Sequence, residues 1–243
     1  MFANSRPVDS RQNGVHARLA MLVQRHLDHP FRRPVAEHSR RAFDELAERV
    51  DGDPRPRVLD AGCGTGASTR QLARRHAGAL VIGIDKSAHR LDSGRRSAPE
   101  VPSNALLVRC DLVDFWLLAA QRQWRFAAQY LLYPNPWPKP EHVQRRWPGH
   151  PVLPSLLACG GQMELRTNWK TYAEEWGVAL ALAGIASRLV RCDDPDTPAL
   201  TPFEAKYRAS GHDLWRVLAD STVLTPSVGT REKPQVRREI SPK

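Results

Sequence analysis

Two stretches of this chain carry residues whose type and spacing suit them to chemistry. In the first, Asp60-Ala-Gly-Cys-Gly-Thr-Gly66, an acid ends an apolar run and alternating glycines follow it. Glycines so placed let backbone amides approach a ligand closely, and a helix starting just after them brings its N-terminus to the same point. The second, Tyr133-Pro-Asn-Pro-Trp-Pro-Lys139, also follows an apolar run and leads straight into Pro-Glu-His-Val-Gln-Arg-Arg146. Its closely spaced prolines exclude a helix and make a stiff turn. Asn135 is the polar side chain between two of those prolines, and the proline after it narrows its backbone to extended geometry. A site residue is presented to a cleft in this way.

Glycine spacing alone leaves two ligands open. Gly62, Gly64 and Ala67 satisfy Gly-x-Gly-x-x-Gly/Ala, and Asp85 follows about 20 residues on, as a dinucleotide fingerprint expects. Asp60 tells against a pyrophosphate, whose charge it would repel, and for a ligand with a cationic amino group. S-adenosylmethionine carries such a group and no phosphate. Acids also follow two later apolar runs, Asp85 in Ile84-Asp-Lys86 and Asp111 in Cys110-Asp-Leu112. Either could simply cap the helix after it; their coincidence with the glycine loop favours a ligand.

A doubly wound α/β sheet is the framework that positions such loops. From Arg57 onward, short, mainly apolar strands at 58–60, 79–84, 105–108 and 126–132, and a fifth strand at 162–166, alternate with helical stretches at 68–76, 87–96, 112–121, 151–158 and 169–182. Continuous apolar strands suit a parallel sheet buried on both faces, joined by right-handed crossovers. Two further strands, 187–192 and 213–218, have no helix of ordinary length expected between them, so at least one should run antiparallel. Upstream, 16–27 and 36–50 have helical spacing, with Phe43, Leu46, Ala47 and Val50 on one face of the second. Residues 1–14 are polar and read as loose. The expected units are an N-terminal arm and helical cap (1–56), the α/β domain (57–219), and a basic tail (220–243) without periodicity and expected to be disordered.

The chain has 243 residues, 41% hydrophobic and 26% charged, enough for one large domain with a substantial core. Its 36 Lys plus Arg against 26 Asp plus Glu leave a net charge of +10. Such an excess favours a polyanionic partner, nucleic acid first, because phosphate contacts release counterions. Cys63, Cys110, Cys159 and Cys192 are dispersed, which argues against structural zinc and for reduced, mostly buried thiols. The N-terminus is polar, and no apolar run approaches the ~18 residues of a membrane span; the expected location is cytoplasmic, with no membrane partner.

With Asp60 as the cue, the chain resembles the class I S-adenosylmethionine-dependent methyltransferases, and the proline-rich loop makes the resemblance specific. Tyr133-Pro-Asn-Pro-Trp-Pro-Lys139, then His142, Arg145 and Arg146, resembles the tRNA (guanine-N7-)-methyltransferase family, whose members carry Phe-Pro-Asp-Pro-Trp-x-Lys, a His and paired Arg in that order. Arg166-Thr-Asn-Trp-Lys-Thr-Tyr172 is similar to that family's Thr-Asp-x-x-x-Tyr segment. Thr201-Pro-Phe-Glu204 and Gly211-His-Asp-Leu-Trp215 are similar to its Thr-Lys-Phe-Glu and Gly-His-x-x-Trp pair. The agreement spans about residues 57 to 218, in ordered blocks.

The resemblance implies a Rossmann-like methyltransferase sheet, mostly parallel with an antiparallel C-terminal strand. It also implies methyl transfer from S-adenosylmethionine to N7 of a tRNA guanine, at position 46 of the variable loop, by a monomer or weak dimer. By the same resemblance Asp60 faces the methionine amino end, Asp85 takes the ribose hydroxyls and Asp111 meets the adenine amino group. Gly62, Gly64, Gly66 and Asn135 complete the cofactor set. Lys139, His142 and Arg145 suit tRNA phosphates, with Asn168 and Thr201 also on the substrate side, and Trp137 either stacks on a base or packs under the loop. Asn135 and Glu204 are the expected catalytic residues, Glu204 accepting from the guanine N1 and N2 edge.

The chain departs from the family pattern at Asn135 and Asn168, each standing where the family carries Asp. An Asn still orients a ligand but offers no carboxylate to paired donors. Those departures would equally suit a methyltransferase of another substrate or a tRNA-binding relative without activity. A nicotinamide-dependent dehydrogenase fits the glycines but not Asp60.

Overall fold

Alternate residues of each central strand enter different cores, which is why the strands read as unbroken apolar runs. A computed structural model describes residues 4–192 and 197–221. In it β1 (Arg57–Ala61) sends Leu59 to one face and Val58 to the other. β2 (Leu80–Asp85) divides Ile82 from Val81 in the same way, and β4 (Ala128–Leu132) divides Leu131 from Tyr130. With β3 (Ala105–Arg109), β5 (Gln162–Thr167), β6 (Ser187–Arg191) and β7 (Trp215–Asp220), these form one sheet in the order β3-β2-β1-β4-β5-β7-β6. β1 to β5 pair in parallel, and β7 runs antiparallel to both β5 and β6.

One face is covered by α3 (Ala67–Arg75), through Leu72 and Ala73, with α4 (Ala88–Ser97) beside it. The other core takes α1 (Leu19–Asp28), α2 (Glu37–Val50), α5 (Leu112–Gln121), α6 (Leu153–Ala158) and α7 (Lys170–Leu182). The α5 helix is apolar nearly all round, and Phe115, Trp116 and Leu118 are buried under α2 and α6. Strand order reverses at β1 and β4, so the loops leaving their carboxyl ends border the crevice where ligands of such sheets bind.

Two expectations need correcting. A helix, α8 (Pro202–Ala209), stands between the last two strands. Its start follows helix-opening rules: Thr201 Oγ1 accepts from Glu204 N at 2.9 Å, and Pro202 opens the first turn. The polar stretch 1–14 is not loose over its described part either, residues 1–3 lying outside the described residues. It has no helix or strand from Ser5 to His16, yet Ser5 N donates to Ser210 Oγ at 3.1 Å and Ser10 Oγ to Pro138 O at 2.5 Å. Gln12 Nε2 and His16 N both donate to Glu175 Oε1, at 2.7 and 3.2 Å. Polar composition misleads here because these groups are satisfied by the body of the protein. The expected disordered tail lies outside the described residues from 222 onward; its first residue, Asp220, ends β7. No helix of the described residues is long and apolar enough to cross a membrane.

Candidate active site

Three acids stand at the ends of three neighbouring strands, with Asp60 in β1, Asp85 closing β2 and Asp111 just after β3. The loop beyond Asp60 turns through left-handed backbone at Gly62 (φ 83°), Gly64 (φ 59°) and Gly66 (φ 74°), which explains the glycines. Its amides fold back onto β2. Gly62 N and Cys63 N donate to Ile84 O at 2.8 and 3.0 Å, and Gly64 N donates to Asp85 Oδ2 at 2.9 Å. Asp85 Oδ1 accepts from Ser87 N at 2.8 Å, so this buried carboxylate joins the glycine loop to the start of α4.

Asp60 is more deeply enclosed. Ser68 and Thr69, in the first turn of α3, donate their hydroxyls to Oδ2 at 2.7 and 2.6 Å, while Oδ1 accepts from no described residue. Burial pushes the Asp60 carboxyl up to about 6, against the pull of the Thr69 and Ser68 hydroxyls, and the nearby charge of Asp85 adds to the rise. Asp111 caps α5 by accepting from Val113 N at 3.0 Å. It also lines a cavity of about 200 Å³ with Lys86, Arg109, Cys110, Arg33 and His38. A larger cavity of about 520 Å³, lined by Ala128, Gln162, Ser187 and Asp220, lies at the opposite edge of the sheet and shares no residue with the loops. The acids and loop fit S-adenosylmethionine: the enclosed Asp60 retains an oxygen for an ammonium, and Asp111 opens on a cavity.

Support for the loop comes from residues that sequence reasoning missed. Arg70 of α3 donates to Thr65 O at 3.1 Å, to Gly94 O at 3.4 Å and to Ala98 O at 2.6 Å, tying the loop to α4. A Cβ at Gly94 would overlap the Thr65 carbonyl, so α4 can lie this close only with glycine there. Nothing in a lone Gly inside a helical stretch marks this approach.

Across the crevice, the loop after β4 is stiff and strained. Tyr133 (φ 53°) and Trp137 (φ 46°) are left-handed without being glycine, a costly backbone that persists where the surroundings enforce it. Asn135 between them is exposed, as is Lys139. Trp137 packs within the loop: the Arg145 guanidinium lies over its ring at 4.8 Å and His142 meets it edge-on at 5.5 Å. Arg145 remains exposed, so its head is still available to a phosphate.

Arg146 has a different position from its neighbour. It is fully buried, donating from Nη1 to both Glu175 oxygens at 2.6 and 2.7 Å, from Nε to Trp137 O at 3.2 Å, and from Nη2 to Lys139 O at 3.2 Å. It also donates to Gln12 Oε1 at 2.9 Å and lies over Trp169 at 4.9 Å. One side chain thereby joins the proline-rich loop, α7 and the N-terminal arm.

Glu204 requires correction. Expected to meet a guanine edge, it is fully buried, and its oxygens accept from Arg166 Nη1 at 2.9 and 3.0 Å, Arg208 Nη2 at 2.6 Å and Leu200 N at 3.2 Å. Two guanidiniums outcompete water for a carboxylate at this depth. The Thr201 hydroxyl is likewise committed to capping α8. Asn168 Nδ2 meets His212 Nδ1 at 3.1 Å. The strand carrying Arg166 also fixes the proline-rich loop, since Tyr133 N donates to Arg166 O at 2.8 Å. All the expected site residues therefore lie along one edge of the sheet, but Glu204 and Thr201 face inward.

Residues 54–217 match the family described as "Putative methyltransferase". The tRNA (guanine-N(7)-)-methyltransferase of Thiobacillus denitrificans is 32% identical over 168 residues, covering 66% of this chain and 73% of that protein. Its counterpart from Sodalis glossinidius is 30% identical over 180 residues, covering 71% and 75%. Among solved structures, a variant 16S rRNA (adenine(1408)-N(1))-methyltransferase with cosubstrate SAM from Catenulisporales acidiphilia superposes with a TM-score of 0.53 at 18% identity, over 77% of this chain and 93% of that one. The 16S rRNA methyltransferase KamB gives 0.53 at 16% identity, over 80% and 96%. At such identities these structures speak for the fold alone.

Proposed function

We propose, because this chain belongs to the tRNA (guanine-N7-)-methyltransferase family, that it methylates N7 of a guanine in the variable loop of tRNA. It is a methyltransferase, and its cofactor is S-adenosyl-L-methionine. When bound, that cofactor supplies a methyl group on a cationic sulfur. Guanine N7 presents a lone pair and no proton, so the protein needs no general base and contributes chiefly alignment.

The observation that carries this reading is the exposed Asn135 amide on a proline-clamped loop across the crevice from the glycine loop. Its amide would orient the guanine. Asp60 would hold the cofactor's ammonium, Asp85 its ribose and Asp111 its adenine, with the glycine loop closing round it. Lys139, Arg145 and His142 would take backbone phosphates, which position the RNA without reading its sequence. Asn168 would face the substrate beside His212. Glu204 acts as a positioning residue: it neutralises Arg166, whose carbonyl fixes the start of the Asn135 loop.

The test is to incubate the purified chain with S-adenosylmethionine and unmodified tRNA, then analyse the nucleosides by mass spectrometry. N7-methylguanosine at a variable-loop guanine is the expected product. Cofactor binding with tRNA bound but unmethylated would instead favour a tRNA-binding relative without activity, as the lost charge at Asn135 would allow.

A further inference from the structure

The Thr201-Pro-Phe-Glu204 segment contains one side chain that neither the cap nor the Arg166 cluster uses. Phe203, in the first turn of α8, is 54% exposed, the most open large apolar residue among those described. A single exposed apolar side chain is ordinary. This one belongs to a set of rings. Phe203 stacks on Tyr207, one helical turn on, with centroids 6.2 Å apart and planes 28° apart. Tyr207 stacks in turn on His212 at 5.2 Å and 12°, and meets Tyr133 at 5.5 Å.

These rings are anchored to the site at both ends. Tyr133 opens the proline-rich loop, and His212 meets Asn168 through one ring nitrogen and Ser5 O through the other, at 3.1 and 3.0 Å. Strand register puts α8 at the same sheet edge, since it leaves the carboxyl end of β6 and returns at Trp215, opposite Thr167 of β5. Basic Lys206 lies on the same helix, and Arg6 of the arm is exposed next to Ser5, whereas Arg208 is spent on Glu204. The protein as a whole carries +10.

We infer that Phe203 is a stacking platform for an unstacked nucleobase of the RNA substrate, which continues the ladder of Phe203, Tyr207 and His212 outward. This rests on the reading of tRNA as substrate. A flat, exposed aromatic face in a cationic setting is what single-stranded nucleic acid uses, and stacking is tolerant of base identity because every base has a π-face. Tyr207, held by its neighbours, keeps the Phe203 ring from rotating freely, so little side-chain entropy is lost when a base docks.

The test measures binding of the full chain to unmodified tRNA over a range of salt concentrations, for wild type and for Phe203→Ala, Phe203→Leu and Phe203→Trp. The Ala and Leu variants should each bind about ten-fold more weakly at every salt concentration, with the salt slope unchanged, because a ring is lost and no phosphate contact is. Phe203→Trp should stay within about two-fold of wild type. In turnover the loss should fall on KM for tRNA rather than on kcat. Wild-type affinity in the Leu or Ala variant would overturn the inference, as would a wild-type chain that binds no tRNA. A wild type that binds tRNA without methylating guanine would defeat the proposed activity, while the same binding curves would still decide the role of Phe203.

Discussion

On the β1–β3 side of the crevice, Asp60, Asp85 and Asp111 accept hydrogen bonds from hydroxyls and backbone amides: Ser68, Thr69, Gly64, Ser87 and Val113. On the β4–β7 side, Glu175 and Glu204 are gripped by the guanidiniums of Arg146, Arg166 and Arg208. Neutral dipoles satisfy a carboxylate without cancelling its charge, and the guanidiniums nearest Asp85 and Asp111, those of the solvent-exposed Arg90 and Arg33, stand off at 3.7 Å, beyond hydrogen-bond distance, so the first set can still attract an ammonium or hydroxyls. Guanidiniums cancel it, so the second set braces the structure. Acids of the same type thus serve ligand on one side and architecture on the other.

Arg146→Met tests the bracing side most severely. It leaves the fully buried Glu175 charge with only the neutral donors of Gln12 and His16, and the expected loss is about 3–5 kcal/mol in urea unfolding. The double variant Arg146→Met, Glu175→Leu should recover most of that. A single variant costing under about 1 kcal/mol would erase the distinction between the two halves.

Asp60 tests the binding side. Its folded carboxyl titrates near 6 against an ordinary 3.8, so the folded protein holds this proton more tightly than the unfolded chain does. Its favourable contribution is therefore full below about pH 4 and is lost as pH rises through 6, a change on the order of 3 kcal/mol. Thermal unfolding across that range should fall more steeply for wild type than for Asp60→Asn. Cofactor affinity should move oppositely, rising with pH as Asp60 ionises to meet the ammonium; identical pH profiles for wild type and Asp60→Asn would remove Asp60 from that role.

Gly94→Ala drives a methyl into the Thr65 carbonyl. The expected cost is about 1–3 kcal/mol in stability, with weaker cofactor binding by calorimetry as the glycine loop shifts. The smallest effect on the fold belongs to Asn135→Asp, within about 0.5 kcal/mol because the residue is exposed. There the readout is catalysis. Restoring a carboxylate should raise methyl transfer to tRNA guanine by about ten-fold, the worth of one charged hydrogen bond; no change or a loss would deny Asn135 a guanine contact.

Most of the β1–β3 side was legible in the sequence. Asp60 bonds to residues eight and nine positions on, and Asp111 to one two positions on. Such short-range bonds are implicit in a strand, a glycine turn and a helix start. On the other side Arg146 reaches Glu175 across 29 residues and Gln12 across 134, and Arg166 reaches Glu204 across 38. No local pattern separates buried Arg146 from exposed Arg145. The start of α8 is legible too, since Thr201-Pro-Phe-Glu204 supplies an N-cap hydroxyl, a proline at the first helical position and an acid in the first turn.

By itself the sequence determined the alternating α/β framework, the glycine loop, the acids after three strands and the stiff presentation of Asn135. Each follows from local sterics and the period of apolar residues, which do not depend on distant partners. Tertiary structure alone decided which charged side chains are left open and which are spent inside, and that the polar arm is tied to the proline-rich loop, α7 and the end of α8. A charge is kept from water only where another part of the chain supplies its counter-charge, and that pairing exists only once the sheet has brought the parts together.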